Sequence, residues 1–368
     1  MSPDDRTMRA AVLHGPRDLR VEAIPVPEIE AGELLLQVTG AGVCGSDAAL
    51  FAAGQDAIPA RESGTFPVVL GHEFAGVVVE AAPATGFAAG ELVASGAGIS
   101  CGQCDRCLQG RTNLCRNYRT AGVFRHGGLA EYVAIPASTC VRAADHGVGG
   151  DDAALAQPMA IACHAVRRAG VREGERVLAI GVGGVGAFAV WAASQLGAEV
   201  TACDTVEERL DLARALGAVE LVKAGPGAAI EEQLGERPPW DVVLEASGSE
   251  PGFRAAFSLL DRGGRLVLVG TQKKPLELDL MAITRGELDL LGTHAHVCRE
   301  DLPSALDLLA AREAGWADVA PTAIPLEDVV EAALLPLLEG RSAQIKSLID
   351  PTVTERRPYD RRTERSVH

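Results

Sequence analysis

The spacing of hydrophobic and polar positions changes twice along this chain. Between residues 9 and 43, short apolar runs are separated by glycine and proline without a helical period, which predicts strands. From residue 176, apolar strands alternate with helical patterns, which predicts a parallel sheet covered on both faces. After residue 296 the alternation ends, and helices lead to one last strand. The predicted fold class is therefore α/β plus β.

The element boundaries follow from these patterns. Strands are predicted at 9–14, 19–24, 33–42, 199–203, 241–246, 264–270, 288–293 and 344–349. Helices are predicted at 153–169, 187–196, 302–312 and 329–338. Asp151 and Asp152 are predicted to cap the first of these helices, which Pro158 should divide into two pieces because proline cannot complete the helical hydrogen bonding.

A chain of 368 residues suggests more than one domain. The pattern changes predict a first domain over 1–157, an α/β domain over 158–295 and a return to the first domain over 296–350. The stretch 351–368 holds arginine and glutamate with almost no apolar residues, so we expect it to be disordered.

Composition limits the classes of partner. The chain has 34 Lys and Arg against 50 Asp and Glu, a net charge of −16, which argues against nucleic-acid binding. No apolar stretch reaches about 18 residues, so no membrane span is expected. No signal peptide is visible. We therefore expect a cytoplasmic protein, in whose reducing environment clustered thiols indicate metal ligands rather than disulfides.

An apolar strand that ends at Ile180 leads into a glycine-rich turn and a helix. In this context the pattern Gly-x-Gly-x-x-Gly predicts a dinucleotide site, since the backbone can approach a pyrophosphate at the helix N-terminus. The residues of the turn assigned to the cofactor are Gly181, Gly183, Gly184, Val185 and Gly186. Asp204 ends the next strand, where a carboxylate would accept the ribose hydroxyls and repel a 2′-phosphate. NAD is thus favoured over NADP.

Three residues with metal-ligand chemistry lie upstream of that turn. Cys44 stands among small residues, and His72 and Glu73 stand between two strand-like apolar runs with glycines on both sides. Thiolate, imidazole and carboxylate are zinc ligands, and a site with three protein ligands and one open position is a catalytic arrangement. These residues therefore predict a catalytic zinc.

A second cysteine cluster lies in a lobe at about 96–118. Four thiolates can close around one ion as a tetrahedral site without an open position, so this site is predicted to be structural. The predicted ligands are Cys101, Cys104, Cys107 and Cys115. A zinc ribbon for nucleic acid is the other interpretation, and the acidic net charge argues against it.

Taken together, these motifs resemble those of the zinc-containing medium-chain dehydrogenases/reductases, and the sorbitol, threonine and butanediol branch fits best. The resemblance covers about residues 9–350. It rests on Cys44-Gly-Ser46-Asp47, Gly71-His72-Glu73, the four-cysteine lobe, the Gly-Gly-Leu-Ala-Glu-Tyr-Val stretch from residue 127, and the glycine turn. It implies a GroES-like catalytic domain made from both chain ends, an inserted Rossmann domain, an active site in the cleft, NAD, two zinc ions and a homodimer or homotetramer.

The resemblance also assigns roles to individual residues. Zinc would be held by Cys44, His72 and either Glu73 or Gln157, because Gln157 stands where the branch commonly has a glutamate. Ser46 would take the alcohol proton, but Ala48, Ala49 and Leu50 occupy the region in which many relatives have a relay histidine. Arg209 matches a position beside the adenine, and Lys346 matches one that contacts the pyrophosphate.

Four further positions are candidates for contact with substrate or cofactor, and two others are expected to pack in the core. His294 and His296, near the last α/β strand, are candidates for substrate or cofactor contact. Phe51, Phe124 and His294 are placed in a substrate pocket only by analogy. Cys163 and His164 are expected to be packing residues.

The predicted activity is hydride transfer between NAD and the carbinol carbon of a secondary alcohol, polyol or amino-alcohol. Two alternatives stay open. One is an NAD(P)H-dependent biosynthetic ketone reductase, which uses the same chemistry in the other direction. The other is a zinc-ribbon regulatory or binding protein with a degenerate Rossmann domain, which Gln157 and the missing relay histidine would favour.

Overall fold

The computed structural model describes residues 6–57, 66–225, 230–234, 237–272, 274–342 and 344–361. The chain divides into two compact units. Unit 1 comprises Met1–Ala160 and His296–His368, and unit 2 comprises Ile161–Ala295. The boundary before His296 lies where the sequence pattern placed the return to the first domain. The boundary after Ala160 lies three residues later than the predicted boundary after residue 157.

Strands and helices follow one another along the described residues, and each type is numbered in chain order. The strands are β1 (Thr7–Gly15), β2 (Asp18–Pro25), β3 (Glu33–Val43), β4 (Val68–Val69), β5 (Glu73–Ala81), β6 (Leu92–Ser95), β7 (Gly98–Ile99), β8 (Arg119–Thr120), β9 (Tyr132–Pro136), β10 (Cys140–Arg142), β11 (Arg176–Ile180), β12 (Glu199–Asp204), β13 (Glu220–Lys223), β14 (Trp240–Glu245), β15 (Leu260–Leu268), β16 (Asp289–Gly292), β17 (Thr322–Ile324), β18 (Ser347–Ile349) and β19 (Arg357–Pro358). The α-helices are α1 (Gly45–Ala53), α2 (Asp105–Leu108), α3 (Ala156–Ala169), α4 (Gly184–Gln195), α5 (Glu207–Ala215), α6 (Ile230–Leu234), α7 (Glu250–Ser258), α8 (Leu280–Gly286), α9 (Cys298–Ala310) and α10 (Leu335–Leu338). The 3₁₀-helices are Gly54–Ala57, Thr112–Leu114, Ala137–Thr139, Ala144–His146, Gly150–Leu155 and Leu326–Asp328, and Val330–Leu334 forms a π-helix.

The long strand β3 is the centre of unit 1. It pairs antiparallel with β5, β9 and β18, in a sheet of order β10-β6-β5-β3-β18-β17-β19. Because neighbours cover it on both edges and core side chains cover its faces, β3 is buried along almost its whole length. Leu34, Leu36, Phe74 and Ile135 belong to the hydrophobic core around it. The strand therefore ends at a fixed place, directly before Cys44.

Unit 2 is a parallel sheet of order β13-β12-β11-β14-β15-β16. This order places β11 and its glycine turn at the middle of the sheet, which is the doubly wound arrangement that binds dinucleotides at the carboxyl ends of the strands. Leu178, Ile180, Val243 and Leu266 belong to its buried core. The predicted parallel sheet is confirmed.

The helix predicted at 153–169 differs from its prediction. A 3₁₀-helix, Gly150–Leu155, runs directly into α3, and Pro158 lies in the first turn of α3 rather than at a break. Proline is tolerated there because the N–H groups of a first turn have no intrahelical acceptor. The predicted break at Pro158 is therefore wrong, and the change of helix type comes before it. Nor do Asp151 and Asp152 cap the helix, because their carboxylates bind residues from the far end of the chain.

The expected disorder after residue 350 is also wrong for the residues that the structure describes. Strand β19 pairs with β17, with Thr322 opposite Pro358. The N–H of Tyr359 donates to the carbonyl oxygen of Pro321 at 3.0 Å. The remainder of that prediction, 362–368, lies outside the described residues. None of the described helices is both long enough and apolar enough to cross a bilayer.

Candidate active site

Cys44, His72 and Glu73 come together and form what we call the metal group. Cys44 follows the end of β3, and Glu73 begins β5, which pairs with β3 so that Gly42 lies opposite Glu73. Their sulfur, nitrogen and oxygen ligand atoms all lie within 4.8 Å of one another. A thiol, an imidazole and a carboxylate at this spacing fit the donor set of an open zinc site. The three predicted ligands are thus neighbours in the fold.

Asp47 fixes the orientation of two members of the metal group. It is 0 % exposed, and its Oδ2 accepts the N–H of Cys44 at 2.8 Å. Its Oδ1 lies 3.3 Å from Nδ1 of His72, without the alignment of a hydrogen bond. Burial lowers the pKa of His72, but the Asp47 carboxylate outweighs burial, and the net pKa is well above its usual range.

Because Nδ1 of His72 faces Asp47, Nε2 is the nitrogen that could bind a metal ion. A carboxylate behind a ligand histidine is a common way to orient the ring and raise its basicity. The sequence motif around Cys44 contains Asp47, but the motif alone assigned it no role. Its place three residues after the helix N-cap could have indicated the contact with the Cys44 N–H. The hydroxyl of Ser46 lies on the same side of the ring, with Oγ 3.4 Å from Nε2.

Glu73 has a counter-ion within the protein. Nζ of Lys346 donates to both carboxylate oxygens, at 2.5 and 2.6 Å, and the two side chains are 3 % and 2 % exposed. Gly42 makes room for this pair, because a Cβ atom at residue 42 would collide with the Glu73 carboxylate. Lys346 lies just before β18 and binds Glu73, so its predicted contact with a pyrophosphate stays a prediction.

Gln157 is buried in the first turn of α3, with 8 % of its surface exposed. The 3₁₀-helix Gly150–Leu155 directly before α3 packs against β3 and β5, the strands that carry the metal group. Gln157 as the third ligand stays a prediction. Farther along α3, Cys163 and His164 are buried, as expected of packing residues, and Nδ1 of His164 lies 3.2 Å from a guanidinium nitrogen of Arg167.

The four-cysteine lobe forms a closed cluster of sulfur atoms. The Sγ atoms of Cys101, Cys104, Cys107 and Cys115 lie within 4.8 Å of one another. Sγ of Cys104 is 3.6 Å from that of Cys107 and 3.9 Å from that of Cys115. Hydrogen bonds from the backbone N–H groups of Arg116 and Cys107 lower the pKa of Cys104 to about 6. The cluster therefore fits a tetrahedral structural zinc bound by thiolates.

The glycine turn after β11 is closely packed at two of its glycines and open at the third. Gly181 has φ of 89°, and a Cβ there would lie 2.7 Å from the backbone nitrogen of Ser247. A Cβ at Gly186 would collide with the carbonyl oxygen of Gly181. At Gly183, in contrast, a Cβ would meet only the Arg209 guanidinium, at 4.0 Å. Two glycines are thus required by packing, whereas the middle one leaves an open face at the N-terminus of α4, which begins at Gly184 and includes Val185.

Asp204 is held firmly at the end of β12. Its Oδ2 accepts the N–H of Val182 at 2.7 Å and its Oδ1 accepts the N–H of Val206 at 3.0 Å. A guanidinium nitrogen of Arg209 lies 3.8 Å away. The next residue, Thr205, lines a cavity of about 840 Å³, a volume within the range of small-molecule sites.

The remaining candidates lie in different surroundings. His296 belongs to unit 1 and is buried, with Nε2 3.2 Å from the carbonyl oxygen of Gly96. His294 is exposed beyond the end of β16. Phe51 is part of the unit 1 core, and Arg119 lies over the ring of Phe124 at 5.0 Å. His296 and Phe51 are thus buried in unit 1, and the predicted roles of His294, His296, Phe51 and Phe124 in contact with substrate or cofactor stay predictions.

Two known protein families match this chain. The alcohol dehydrogenase GroES-like domain matches residues 30–145. The zinc-binding dehydrogenase family matches residues 184–311. The first match includes the metal group and the four-cysteine lobe, and the second begins at the glycine turn.

Individual proteins are similar over most of their length. Sorbitol dehydrogenase of Bombyx mori is 33% identical over 294 residues, which are 77% of this chain and 83% of that protein. L-threonine 3-dehydrogenase of Anaeromyxobacter dehalogenans is 34% identical over 301 residues, 78% of this chain and 85% of that protein. A zinc-binding dehydrogenase structure from Sinorhizobium meliloti 1021, bound to NADP, has a TM-score of 0.79 at 28% identity, covering 94% of this chain and 100% of that one.

Proposed function

The chain belongs to the zinc-binding alcohol dehydrogenase family, as its sequence resemblance predicted, and on this premise we propose that it oxidises a secondary alcohol, polyol or amino-alcohol with NAD. It is a zinc-type oxidoreductase that acts on CH–OH groups with a nicotinamide dinucleotide. The observation that carries the proposal is the metal group, whose ligand atoms lie within 4.8 Å of one another. The polyol and threonine dehydrogenases among its relatives support the substrate class.

In this proposal the residues of unit 1 hold the alcohol. A zinc ion bound by Cys44, His72 and either Glu73 or Gln157 would supply Lewis-acid polarisation of the alcohol oxygen. Asp47 keeps the His72 ring oriented through Nδ1. The hydroxyl of Ser46, 3.4 Å from Nε2 of that ring, accepts the proton that the alcohol loses. Ala48, Ala49 and Leu50 carry no group that can relay this proton, so it would leave Ser46 through the cofactor ribose hydroxyls and water, or through another base.

The residues of unit 2 hold the cofactor. The open face at Gly183 admits the pyrophosphate to the N-terminus of α4. The Asp204 carboxylate accepts the ribose hydroxyls and repels a 2′-phosphate, so NAD is preferred over NADP. Arg209, close to both Gly183 and Asp204, contacts the adenosine side of the cofactor.

The test is a turnover screen of the zinc-loaded protein. Secondary alcohols, polyols, aminocyclitols and threonine are offered with NAD and with NADP, and the corresponding ketones with the reduced cofactors, while absorbance of the reduced nicotinamide is followed. We expect turnover with NAD and two zinc ions per chain. A folded protein that bound no dinucleotide, or that kept zinc only in the four-cysteine lobe, would contradict the proposal. Turnover confined to ketones would favour the reductase alternative.

We also propose that the protein forms a homodimer or homotetramer. Strand β16 is at one edge of the described parallel sheet. Just before it along the chain, Leu278, Leu280 and Met281 are 39%, 69% and 60% exposed. A sheet edge and a group of large exposed apolar side chains both support an interface between copies. Light scattering should give a multiple of 38.3 kDa, and Leu280→Asp with Met281→Asp should lower the mass. A monomer in the unaltered protein would refute this.

A further inference from the structure

Residues 351–361 form a C-terminal arm that crosses unit 1. Strand β19 of the arm pairs with β17. Beyond that strand, the guanidinium of Arg361 donates to the carbonyl oxygen of Glu313 at 2.9 Å and to Oδ2 of Asp152, also at 2.9 Å. The hydroxyl of Tyr359 donates to the other carboxylate oxygen of Asp152. The arm is thus bound along its length by both backbone pairing and charged hydrogen bonds.

Arg357 links two buried carboxylates. Its two terminal nitrogens donate to the two oxygens of Asp151 at 2.6 and 2.7 Å, and its Nε donates to Asp350 at 2.7 Å. The side chains of Asp151 and Asp350 are 0% and 1% exposed. The N–H of Asp360 also donates to Oδ2 of Asp151 at 2.9 Å, and the N–H of Asp151 donates to the carbonyl oxygen of Asp360 at 2.8 Å. Buried carboxylates are strongly destabilising without a counter-ion, so the positions of these two acids depend on Arg357.

One of the two acids, Asp350, lies at the end of the strand beside the metal group. It directly follows β18, a strand of three residues. Directly before the same strand stands Lys346, whose ammonium binds Glu73. Strand β18 pairs with the end of β3, with Ser347 opposite Val43, one residue before Cys44. Arg357 therefore anchors one end of a short strand whose other end holds a member of the metal group.

The other acid, Asp151, belongs to the segment that leads to Gln157. Asp151 lies in the 3₁₀-helix Gly150–Leu155, which continues into the first turn of α3. Its carboxylate packs on β3, because a Cβ at Gly40 would lie 3.8 Å from Oδ1 of Asp151. Arg357 thus bonds to Asp151, in the segment before Gln157, and to Asp350, at the end of the strand that follows Lys346.

We propose that Arg357 is a positioning residue for the metal centre. By bridging Asp151 and Asp350, it holds the Gln157 segment and the Lys346 strand in register with the end of β3, so that the ligands meet at a fixed geometry. This inference rests on the proposed zinc site at Cys44. It predicts that loss of the bridge loosens the hold on the ion in a protein that is still folded.

The test compares full-length Arg357→Met and Arg357→Lys with the unaltered enzyme, well below the temperature of unfolding. Each protein is loaded with Zn²⁺ or Co²⁺, and release to a chelator is followed by metal analysis and by the cobalt absorption of the catalytic site. We expect Arg357→Met to release the catalytic ion roughly tenfold to a hundredfold faster. Arg357→Lys, which keeps the charge without the planar fork, should be intermediate. The four-cysteine ion should be retained in both.

Arg356, the residue directly before Arg357, provides a matched control. Arg356 pairs with Asp328 at the surface, where the two side chains are 60% and 42% exposed, so Arg356→Met should leave metal release unchanged. If Arg357→Met lowers the unfolding temperature but keeps metal release and kcat unaltered, the arm is only structural and the inference is wrong. If Arg357→Met does not fold, unaltered release in Arg357→Lys refutes it. An unaltered enzyme without metal at Cys44 would instead refute the proposed function, and the inference with it.

Discussion

The ion pair between Lys346 and Glu73 gives the sharpest test of the metal group. Lys346→Met keeps most of the side-chain volume but removes the ammonium, and it leaves a carboxylate that is 2% exposed without its counter-ion. Breaking a buried pair by removing one partner costs about 3–5 kcal/mol, because the remaining charge has lost both water and partner. We expect this loss in the metal-free protein.

The size of the effect can be expressed as a temperature. Unit 1 contains 233 residues, and for a body of that size 1 kcal/mol shifts the unfolding midpoint by about 2–4 °C. Lys346→Met should therefore lower the midpoint of unit 1 by about 6–20 °C in the presence of a chelator. Scanning calorimetry of the metal-free protein measures this directly.

Zinc should reduce the loss. Glu73 lies within 4.8 Å of the other ligand atoms, so in the variant a bound cation takes the place of the ammonium as its counter-ion. The same calorimetry with saturating zinc should show a smaller shift than without it. Arg356→Met is the control within unit 1, because Arg356 pairs with Asp328 where the two side chains are 60% and 42% exposed, and a surface pair is worth about 0–1 kcal/mol.

Two results would refute this reasoning. A metal-free loss below about 1 kcal/mol would mean that the pair behaves like a surface pair. An equal loss of stability with and without zinc would mean that the bound ion does not neutralise the Glu73 carboxylate. Glu73→Gln combined with Lys346→Met should regain most of the metal-free stability, because no buried charge is then left unpaired.

Three further predictions concern other parts of the molecule. Asp47→Asn should weaken zinc binding at the metal group about 10–100-fold in a chelator competition, because the neutral amide removes the negative charge that faces Nδ1 of His72, and unaltered affinity would contradict the role of Asp47. Asp204→Asn should raise the kcat/KM ratio of NADP to NAD roughly tenfold, because the charge that repels a 2′-phosphate is gone; an unchanged ratio would place cofactor choice elsewhere. Burial alone would raise the pKa of Glu33, but hydrogen bonds from Arg125 and from the backbone N–H of Glu30 lower it below its ordinary 4.5. The stability that this carboxylate contributes is therefore present above pH 4.5 and is lost as the pH falls through the lowered pKa. Acid unfolding of Glu33→Gln should accordingly be less steep than that of the unaltered protein.

The sequence by itself determined the features that are local along the chain. The glycine turn could be identified because strand, turn and helix follow one another within a few residues of the sequence. The four cysteines lie within fifteen positions, so their closure into one cluster needs only a short loop. The parallel sheet followed from the alternation of strands and helices, since each apolar strand has to be covered on both faces.

Only the tertiary structure decided the partners of the buried charges. Lys346 and Glu73 are 273 residues apart, and Arg357 and Asp151 are 206 apart. Composition made the C-terminal arm look disordered because it contains few apolar residues, yet the arm is held by ion pairs with buried carboxylates rather than by apolar burial. Hydrophobic periodicity shows which face of an element is buried, but not which distant charge neutralises a buried one. That pairing is set by strand order and register, which bring β18 beside the end of β3.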